Sequence, residues 1–325
     1  MRLNLLLPAR QRVDSVILAQ WLARGDRLPD AVPGRAAVLR ECFDIGAAEF
    51  PMAALTRQVD AGDAADSIWL RADPAFVMAD AVTLRLLACG NLGLSAEDVQ
   101  ACAQALKPLF DDMGFYFDAP HPQRWYLRCP PETTLPTFSS PDDALGDDLA
   151  RHLPEGENVR RWRGLLNEAQ IVLTQHPLNA QRARRGLPPV NSVWFWGAGV
   201  LPARVHSDFD CIISDDEVIV AMARIENKPS FPRKRESSST LFREAQKLDS
   251  RLRGNDEPKQ MQAVLIDLAD QRDAAQLDDE WFAPIDAALR SGPLAQLDLR
   301  FESGDRYVAR PAHRWRFWRR TKPSA

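Results

Sequence analysis

Residues 176–199 read His-Pro-Leu-Asn-Ala-Gln-Arg-Ala-Arg-Arg-Gly-Leu-Pro-Pro-Val-Asn-Ser-Val-Trp-Phe-Trp-Gly-Ala-Gly, and this motif segment is the most specific stretch of the chain. Its polar run 177–189 leads into a run typical of a strand, Ser192–Trp196, and then into a glycine turn, Gly197–Gly199. Glycine turns that follow strands are common ligand loops in α/β sheets. The segment therefore predicts an α/β fold with a binding loop at the end of a strand.

The motif segment concentrates side chains that orient anionic ligands. It offers an imidazole, two carboxamides, an arginine suited to bidentate contacts, and glycine N–H groups that a ligand can approach closely. The ligand-binding residues that we expect are His176, Asn179, Arg182, Asn191, Trp194, Trp196, Gly197 and Gly199.

Structural roles compete with ligand binding at most of these positions. A histidine at a helix end can bond to the backbone, and Asn179 and Asn191 can hold the loop together by bonding to backbone groups. Trp194 and Trp196 share one face of the expected strand, as residues of a core or of a pocket wall do. The sequence leaves both interpretations open.

The same residues carry a family resemblance. The motif segment resembles the archaeal-type, cofactor-independent phosphoglycerate mutases, which have a similar succession of His-Pro-x-Asn, Arg, Gly, Pro-x-Asn and Gly-x-Gly. It is more similar still to bacterial regulatory proteins of the RpfE type, through the aromatic form Asn-Ser-x-Trp-Phe-Trp-Gly. Weaker similarity to that type extends over Ile68–Asp73 and to the C-terminus. The resemblance implies relationship to part of the phosphoglycerate mutase and alkaline phosphatase-like fold.

A phosphomutase of that superfamily uses two divalent metals held by Asp and His residues, and a Ser nucleophile near an early Asp-Gly motif, because a phosphoryl group in transit needs charge neutralisation. This chain has no early Asp-Gly motif suited to that role, and its five histidines are scattered. The resemblance therefore implies the substrate-side segment without the catalytic metal site. We assign no catalytic residue and no cofactor, and we keep a divalent metal for an enzyme alternative only.

Two further sets of residues are weaker candidates, one for a metal site and one for acid–base catalysis. His206, Asp208 and Asp210 have the spacing of a metal set that shares one face of a strand, but no fourth ligand is in view. Asp66 and Asp73 flank the expected strand Ile68–Arg71, either as acid/base groups or as residues of strand-end turns.

Strand-like runs alternate with amphipathic helical patterns along the chain, which predicts an α/β class with a mixed sheet and flanking helices. We expect an N-terminal α/β part at 1–130, a loop or linker at 131–148 that is rich in Pro, Ser, Thr and Asp, and a second α/β part at 149–305 that carries the motif segment. Residues 306–325 form a basic, aromatic tail.

Residues 228–257 interrupt this alternation. The stretch lacks Val and Ile, holds eight basic and five acidic residues, and has the composition of a solvated, disordered segment. Its two ends resemble peptides translated from a mobile bacterial intergenic repeat. We expect a dispensable surface insertion, with a basic nucleic-acid patch as the alternative.

The net charge of −4 hides regions of opposite sign. The tail holds seven Lys and Arg residues and no acidic residue, so the rest of the chain has a net charge of −11. Without the insertion, whose net charge is +3, the remaining residues have a net charge of −14. Cations and aromatics interleave in the tail as in phosphate-binding and base-stacking surfaces. We expect its aromatics to dock it onto the acidic body, with nucleic acid, membrane or protein contact as alternatives. Its candidate residues are Arg314, Trp315, Arg316, Trp318, Arg319 and Arg320.

The chain shows no signal for export. The apolar run at its start is short and is broken by Asn4 and Pro8, no stretch reaches the ~20 apolar residues of a membrane span, and the five cysteines show no paired spacing. These features predict a protein of the reducing cytoplasm, and the resemblance to the RpfE type implies a bacterial one.

The leading functional hypothesis is a non-catalytic regulatory protein of the RpfE type that binds a phosphorylated or carboxylated metabolite and has a protein partner. One alternative is a metal-dependent phosphoglycerate mutase or phosphatase. The other is a nucleic-acid-binding regulator that acts through the tail.

Overall fold

The computed structural model describes residues 1–47, 50–80, 83–156, 158–233, 262–316 and 318–319. The chain folds as two compact units: unit 1 comprises Met1–Gly46 and Ala203–Ala325, and unit 2 comprises Ala47–Pro202. This division differs from the ranges that we expected, since residues 131–148 lie within unit 2. Its cause is long-range strand pairing between the two ends of the chain, which hydropathy patterns do not reveal.

The elements alternate along the chain as an α/β protein requires. The strands are β1 Arg2–Leu7, β2 Asp26–Arg27, β3 Ile68–Ala79, β4 Leu84–Cys89, β5 Tyr116–His121, β6 Arg124–Cys129, β7 Ser192–Gly199, β8 Cys211–Ile213, β9 Ser230–Phe231, β10 Ala263–Asp267, β11 Gln296–Phe301 and β12 Arg306–Ala309. The helices are α1 Val16–Arg24, α2 Arg35–Cys42, α3 Met52–Asp60, α4 Ala96–Asp112, α5 Pro141–Ala144, α6 Val159–Thr174, α7 Pro177–Arg184, α8 Glu217–Ile225, α9 Ala274–Leu277 and α10 Ala283–Ser291. The predicted α/β class is confirmed.

Unit 1 is built on a sheet in the order β2-β12-β11-β1-β10-β8-β9. The strands from β11 to β9 run parallel, and β12 and β2 join antiparallel at one edge. The near-continuous apolar runs of β1 and β10 fit strands that are covered on both faces. Trp21 of α1 packs edge to face on Phe282 at 5.3 Å between ring centroids, within the core that covers one face.

Unit 2 is built on a second sheet, in which the twelve-residue strand β3 is central. It pairs antiparallel with β6 through its first half, with β4 through its second half, and with β7 along its other edge. Aromatic side chains from α6, β7 and the loop before β5 fill the core, where Trp162 lies 5.4 Å from Phe195 and 5.2 Å from Phe115. Burial of these large rings supplies much of the stability of unit 2.

Local capping signals start several helices. Ser95 and Asp98 form a reciprocal capping box at the start of α4, and Asp216 accepts hydrogen bonds from Val218 and Ile219 at the start of α8. Both use side-chain oxygens to satisfy N–H groups that a first helical turn leaves unbonded.

Two strands are longer than the sequence indicated. β3 continues through Pro74 to Ala79, so Asp73 lies in mid-strand and not in a strand-end turn. β7 continues through Gly199, so Gly197–Gly199 is strand and not the glycine turn that we expected. In both cases, pairing with a neighbouring strand overrides local turn propensity.

Part of the expected insertion takes part in the fold. Residues 230–231 form β9, which pairs with β8 at the edge of the unit 1 sheet. Positions 234–257 of the expected insertion lie outside the described residues.

The five cysteines are free thiols, and burial raises the pKa of Cys102 and Cys129 to about 12 and that of Cys42 and Cys211 to about 11. Among the described residues, no helix has both the length and the apolar character to cross a membrane.

Candidate functional site

His176 begins α7 as its N-cap. Its Nδ1 accepts a hydrogen bond from the Leu178 N–H at 3.2 Å, and Pro177 occupies the first helical position, where its missing N–H costs nothing. The imidazole therefore has the helix-end role that the sequence left open.

The two asparagines of the motif segment join neighbouring pieces of backbone. Asn179 donates to the carbonyls of Leu173 and Val190 at 2.8 and 3.0 Å and accepts from the Val190 N–H at 2.9 Å. Asn191 accepts from the Val77 N–H at 2.9 Å and donates to the Val77 carbonyl at 2.7 Å. The amide of Asn191 thus imitates a strand partner, and both side chains hold the loops before β7 in place.

Arg182 is the most deeply placed charge of the motif segment, with a relative exposure of 0%. Its guanidinium donates to the Pro188 carbonyl at 2.9 Å, to the Leu92 carbonyl at 2.6 Å and to the Asp98 carboxylate at 3.2 Å. Arg182 therefore connects α7 to the loop that follows it and to the start of α4. A ligand role for its guanidinium stays a prediction that competes with these three internal bonds.

The two tryptophans also have internal partners. Trp194 is buried, and its Nε1 donates to the Ser139 carbonyl at 3.0 Å. Trp196 donates from Nε1 to the Asp73 carboxylate at 2.7 Å, and the Arg71 guanidinium lies over its ring at 5.1 Å. Trp194 packs in the core, whereas Trp196 is half-buried, and its role in a pocket wall stays a prediction.

Asp73 and Arg71 form a buried ion pair on β3 that the sequence did not identify. The Nε and Nη2 atoms of Arg71 each donate to the Asp73 carboxylate at 2.7 Å. The Trp125 N–H donates to the same carboxylate at 3.2 Å, and Arg71 also donates to the Thr56 hydroxyl at 3.2 Å. With Trp196, the carboxylate receives four hydrogen bonds, which is how a buried charge is made tolerable.

Two glycines of the motif segment, Gly197 and Gly199, allow α3 to approach β7. A Cβ atom on Gly197 would lie 2.9 Å from the Met52 Cβ, and one on Gly199 would lie 2.5 Å from the Pro51 Cβ. Gly197 also has a φ of +66°, which favours glycine. Close helix packing therefore accounts for the Gly-x-Gly pattern in this fold.

Gly199→Ala is expected to destabilise the protein by about 2 kcal/mol or more, because the new methyl group would overlap the backbone and ring of Pro51. Gly164→Ala is the matched control: Gly164 lies inside α6 with nothing within 4 Å of its Cβ position, so alanine there should stabilise by roughly 0.5–1 kcal/mol. Urea unfolding curves measure both changes. Equal effects of the two substitutions would contradict the packing role of Gly199.

A second candidate site lies at the carboxyl edge of the unit 1 sheet, where the parallel strands β8, β9 and β10 end. This is the edge at which open α/β sheets bind ligands. Asp267 is the last residue of β10. Its carboxylate accepts hydrogen bonds from both terminal nitrogens of Arg35, at 2.9 and 2.8 Å, and from the Ser214 hydroxyl at 2.9 Å. Arg35 also donates to Asp216 at 2.9 Å. We call Arg35, Asp216 and Asp267 the first edge cluster.

A second edge cluster, made of Arg233, Asp215 and Asp270, lies beside the first. Arg233 donates from its Nε to Asp215 at 3.0 Å and from both terminal nitrogens to the two oxygens of Asp270. Burial alone would raise the pKa of Asp270, but the hydrogen bonds and charge of Arg233 outweigh it and lower that pKa below its usual value. Burial alone would lower the pKa of Arg35, yet Asp267 and Asp216 raise it, so both guanidiniums stay charged.

These carboxylates do not fit a two-metal site of the kind that a phosphomutase uses. Both oxygens of Asp267 are bonded to Arg35, both of Asp270 to Arg233, and the Oδ1 of Asp216 caps α8. A divalent ion needs oxygens with free lone pairs and without a competing cation beside them. The described part of the chain contains no group of three or more His, Cys, Asp or Glu residues arranged to hold a metal ion.

The residues of the weaker metal candidate are not on a common strand face. His206 makes an isolated bridge with Asp44, and its side chain is largely exposed, with Nδ1 3.6 Å from Glu226. The Asp210 carboxylate accepts hydrogen bonds from the backbone N–H groups of residues 262 and 263 at 2.7 and 3.0 Å. Asp208 is exposed. The expected strand geometry is wrong, because β8 begins only at Cys211.

Arginines attach the end of the tail to unit 1. Arg316 donates to the Arg24 carbonyl at 3.0 Å and to Asp26, and Arg319 donates to the Gly25 carbonyl at 3.0 Å. These carbonyls end α1, where the helix dipole favours cations. Arg320 lies outside the described residues.

Two aromatic side chains of the tail are largely exposed. Trp315 is 64% and Trp318 is 66% exposed, and Arg314 stacks on the Trp315 ring at 4.9 Å. The expectation that aromatics pin the tail is wrong in this respect. A nucleic-acid, membrane or protein contact through these rings stays a prediction.

Sequence reasoning missed the two edge clusters and the Asp73–Arg71 pair. A usable signal did exist for Asp267, since an aspartate that closes the apolar run Ala263–Ile266 lies at the carboxyl end of a buried strand. For Arg35 and Arg233 no such signal exists, because their partners lie far away along the chain.

No protein-family model matches the chain. Its local relatives include the probable 2,3-bisphosphoglycerate-independent phosphoglycerate mutase of Geobacter sulfurreducens, 40% identical over 75 residues, and the 2,3-bisphosphoglycerate-independent phosphoglycerate mutase of Methanothrix thermoacetophila, 35% identical over 63 residues. These matches cover 22% and 19% of this chain, and 19% and 16% of those two mutases. The chain thus matches less than a fifth of the length of these curated relatives.

Two solved structures align with most of the chain at low similarity. The cofactor-independent phosphoglycerate mutase from Thermoplasma acidophilum has a TM-score of 0.40 and 16% identity, over 95% of this chain and 88% of its own. A protein from Pyrococcus horikoshii has a TM-score of 0.48 and 13% identity, over 94% of this chain and 86% of its own. Through the local sequence matches, the chain is phosphoglycerate mutase-related.

Proposed function

We propose that the chain is a cytoplasmic regulatory protein of the RpfE type that is related to phosphoglycerate mutases, does not transfer phosphoryl groups, and binds a phosphorylated or carboxylated metabolite. The observation that supports this proposal best is the pairing of the edge carboxylates with Arg35 and Arg233. These guanidiniums bond to carboxylate oxygens that a divalent metal would need to have free.

The chemistry of phosphoryl transfer explains why this pairing matters. Two metals clamp the attacking and leaving oxygens of the phosphoryl group and neutralise its charge. A guanidinium supplies one delocalised positive charge and hydrogen bonds, but it cannot activate a nucleophile by coordination. Fixed arginines beside carboxylates are therefore suited to structure and to anion recognition.

The motif segment supports the same proposal from unit 2. The side chains of Asn179, Arg182 and Asn191 bond to backbone or to Asp98 within the unit, so the sequence shared with the mutases builds the frame of the fold. A protein that keeps the fold of an enzyme but not its metal ligands can still bind a ligand, and such binding suits a regulatory role.

Activity assays on the full chain test this proposal. Interconversion of 3-phosphoglycerate and 2-phosphoglycerate and release of phosphate should both stay at the rate without protein, in Mg²⁺, Mn²⁺, Co²⁺ or Zn²⁺. Turnover that EDTA abolishes would overturn the proposal and favour the metal-dependent mutase or phosphatase.

A further inference from the structure

Two tryptophans of the tail leave most of their surface in water. Trp315 and Trp318 are largely exposed, whereas the other seven tryptophans of the chain are buried or half-buried. Aromatic rings carry a large apolar surface, and folded proteins bury most of it. Two exposed tryptophans three positions apart therefore indicate a surface that contacts a partner.

A cation lies beside the first of these rings. The Arg314 guanidinium lies over the Trp315 ring at 4.9 Å from its centroid. Among the described residues Arg314 makes one hydrogen bond, from Nη1 to the Arg290 carbonyl at 3.2 Å, and it has no acidic partner there. Arg314 therefore keeps guanidinium nitrogens that can donate to an anion.

The folded unit holds these side chains in place. Arg316 donates to the Arg24 carbonyl and Arg319 to the Gly25 carbonyl, both at 3.0 Å, so the chain on either side of Trp318 is anchored on the end of α1. The rings are thus presented on a fixed base, which lowers the entropy that binding costs. We define the tail surface as Arg314, Trp315, Arg316, Trp318 and Arg319.

The charge around the tail surface is positive. Further arginines lie beside Arg314 at the C-terminal end of α1, namely Arg24, Arg290 and Arg310. Two carboxylates, Asp26 and Asp286, pair with arginines there and offset part of this charge. The tail itself contains no acidic residue. Such a surface favours an anionic partner.

The composition of the tail favours nucleic acid over an anionic membrane. Residues 310–325 contain no Leu, Ile, Val or Met, and the 3-10 helix Pro311–Trp315 has only five residues. Binding to a membrane surface depends on the apolar area that an amphipathic helix buries. Aromatic rings among arginines match nucleic acid instead, because bases stack on the rings and phosphates bind the guanidiniums. The bases of a single strand are accessible to such rings.

We propose that the tail surface binds a single strand of nucleic acid, with bases stacked on Trp315 and Trp318 and with phosphates held by Arg314 and the arginines beside it. The proposal goes beyond the proposed function and does not rest on it, since it needs neither the metabolite nor the absence of phosphoryl transfer. It gives a regulatory protein a second kind of partner.

Fluorescence anisotropy of the full chain with labelled oligo(dT) and oligo(U) of about 20 nucleotides tests the tail surface. Trp315→Ala and Trp318→Ala are each expected to weaken binding about fivefold or more, since each removes a stacking platform. Trp315→Phe keeps an aromatic ring and should keep most of the affinity. Arg314→Gln should reduce the slope of log K against log salt by about 0.7, because it removes one phosphate contact.

Tyr116→Ala is the matched control. Tyr116 is an exposed ring on β5 with the Arg128 guanidinium 4.9 Å from its centroid, and it lies outside the tail surface. Its loss should leave the affinity for both oligonucleotides unchanged. Circular dichroism melting curves confirm that the variants fold.

Binding of either single strand that is weakened in a tryptophan variant and kept in Tyr116→Ala supports the proposal. Three results overturn it: neither oligonucleotide binds, both tryptophan variants bind as tightly as wild type, or duplex DNA of the same length binds as tightly as oligo(dT). Co-sedimentation with phosphatidylglycerol vesicles, without binding of either oligonucleotide, would assign the exposed rings to a membrane instead.

Discussion

Asp73→Ala is expected to lower the free energy of unfolding by ~3–5 kcal/mol, because it leaves the Arg71 guanidinium buried without its counter-charge. The carboxylate now receives four hydrogen bonds, from Arg71, Trp196 and the Trp125 N–H, and the substitution removes all of them. Urea unfolding followed by circular dichroism measures the change.

The exposed pair Lys107 and Asp111 provides a matched control. These residues lie one helical turn apart on α4 with an N–O distance of 3.0 Å, and Asp111→Ala should cost no more than ~0.5 kcal/mol. The double substitution Arg71→Met with Asp73→Leu should recover much of the stability lost in Asp73→Ala, since no charge remains buried. Equal losses for Asp73→Ala and Asp111→Ala would show that the pair does not hold unit 2 together.

Arg182→Met is expected to destabilise the protein by ~3 kcal/mol or more, because it leaves Asp98 without its buried partner and removes bonds to two carbonyls. Arg184→Met, two residues further along α7 and exposed, should change stability by less than ~0.5 kcal/mol. Thermal and urea unfolding of both variants measure the difference.

This comparison separates the two roles that the sequence allowed for Arg182. If the residue fixes the fold, stability falls while the metabolite affinity of the folded variant stays close to that of wild type. A variant as stable as wild type that fails to bind 3-phosphoglycerate would contradict the structural role and restore the ligand role.

Local signals in the sequence predicted local structure well. The Ser95 cap and the apolar run of β1 depend on neighbouring residues only. The motif segment also ends in the strand that its residues 192–196 predicted. Its residues are close together in the chain, so their spacing carries information about the local fold.

The chemistry of the site was less accessible to sequence reasoning. A polar residue that binds a ligand and one that braces a loop have the same composition and spacing, as Asn191 shows. The difference depends on whether a distant partner, here Val77, meets the side chain. The Gly-x-Gly pattern is ambiguous for the same reason, since only the fold reveals that Pro51 packs against Gly199.

Prediction of the edge clusters would have required knowledge of contacts between residues that are far apart in the sequence. Asp267 meets Arg35 across 232 positions, and the pairing depends on β1 and β10 lying side by side in the sheet. No periodicity or motif records such a contact. The charge balance of unit 1, and with it the proposed loss of metal chemistry, follows from topology.

Electron paramagnetic resonance titration of the full chain with Mn²⁺ tests the central claim most directly, because free Mn²⁺ gives a strong signal that protein binding removes. If Arg35 and Arg233 neutralise the edge carboxylates, the free-ion signal should rise in proportion to added Mn²⁺, with the same slope in wild type and in Asp267→Asn. Stoichiometric loss of the signal in wild type, restored by Asp267→Asn, would contradict the account.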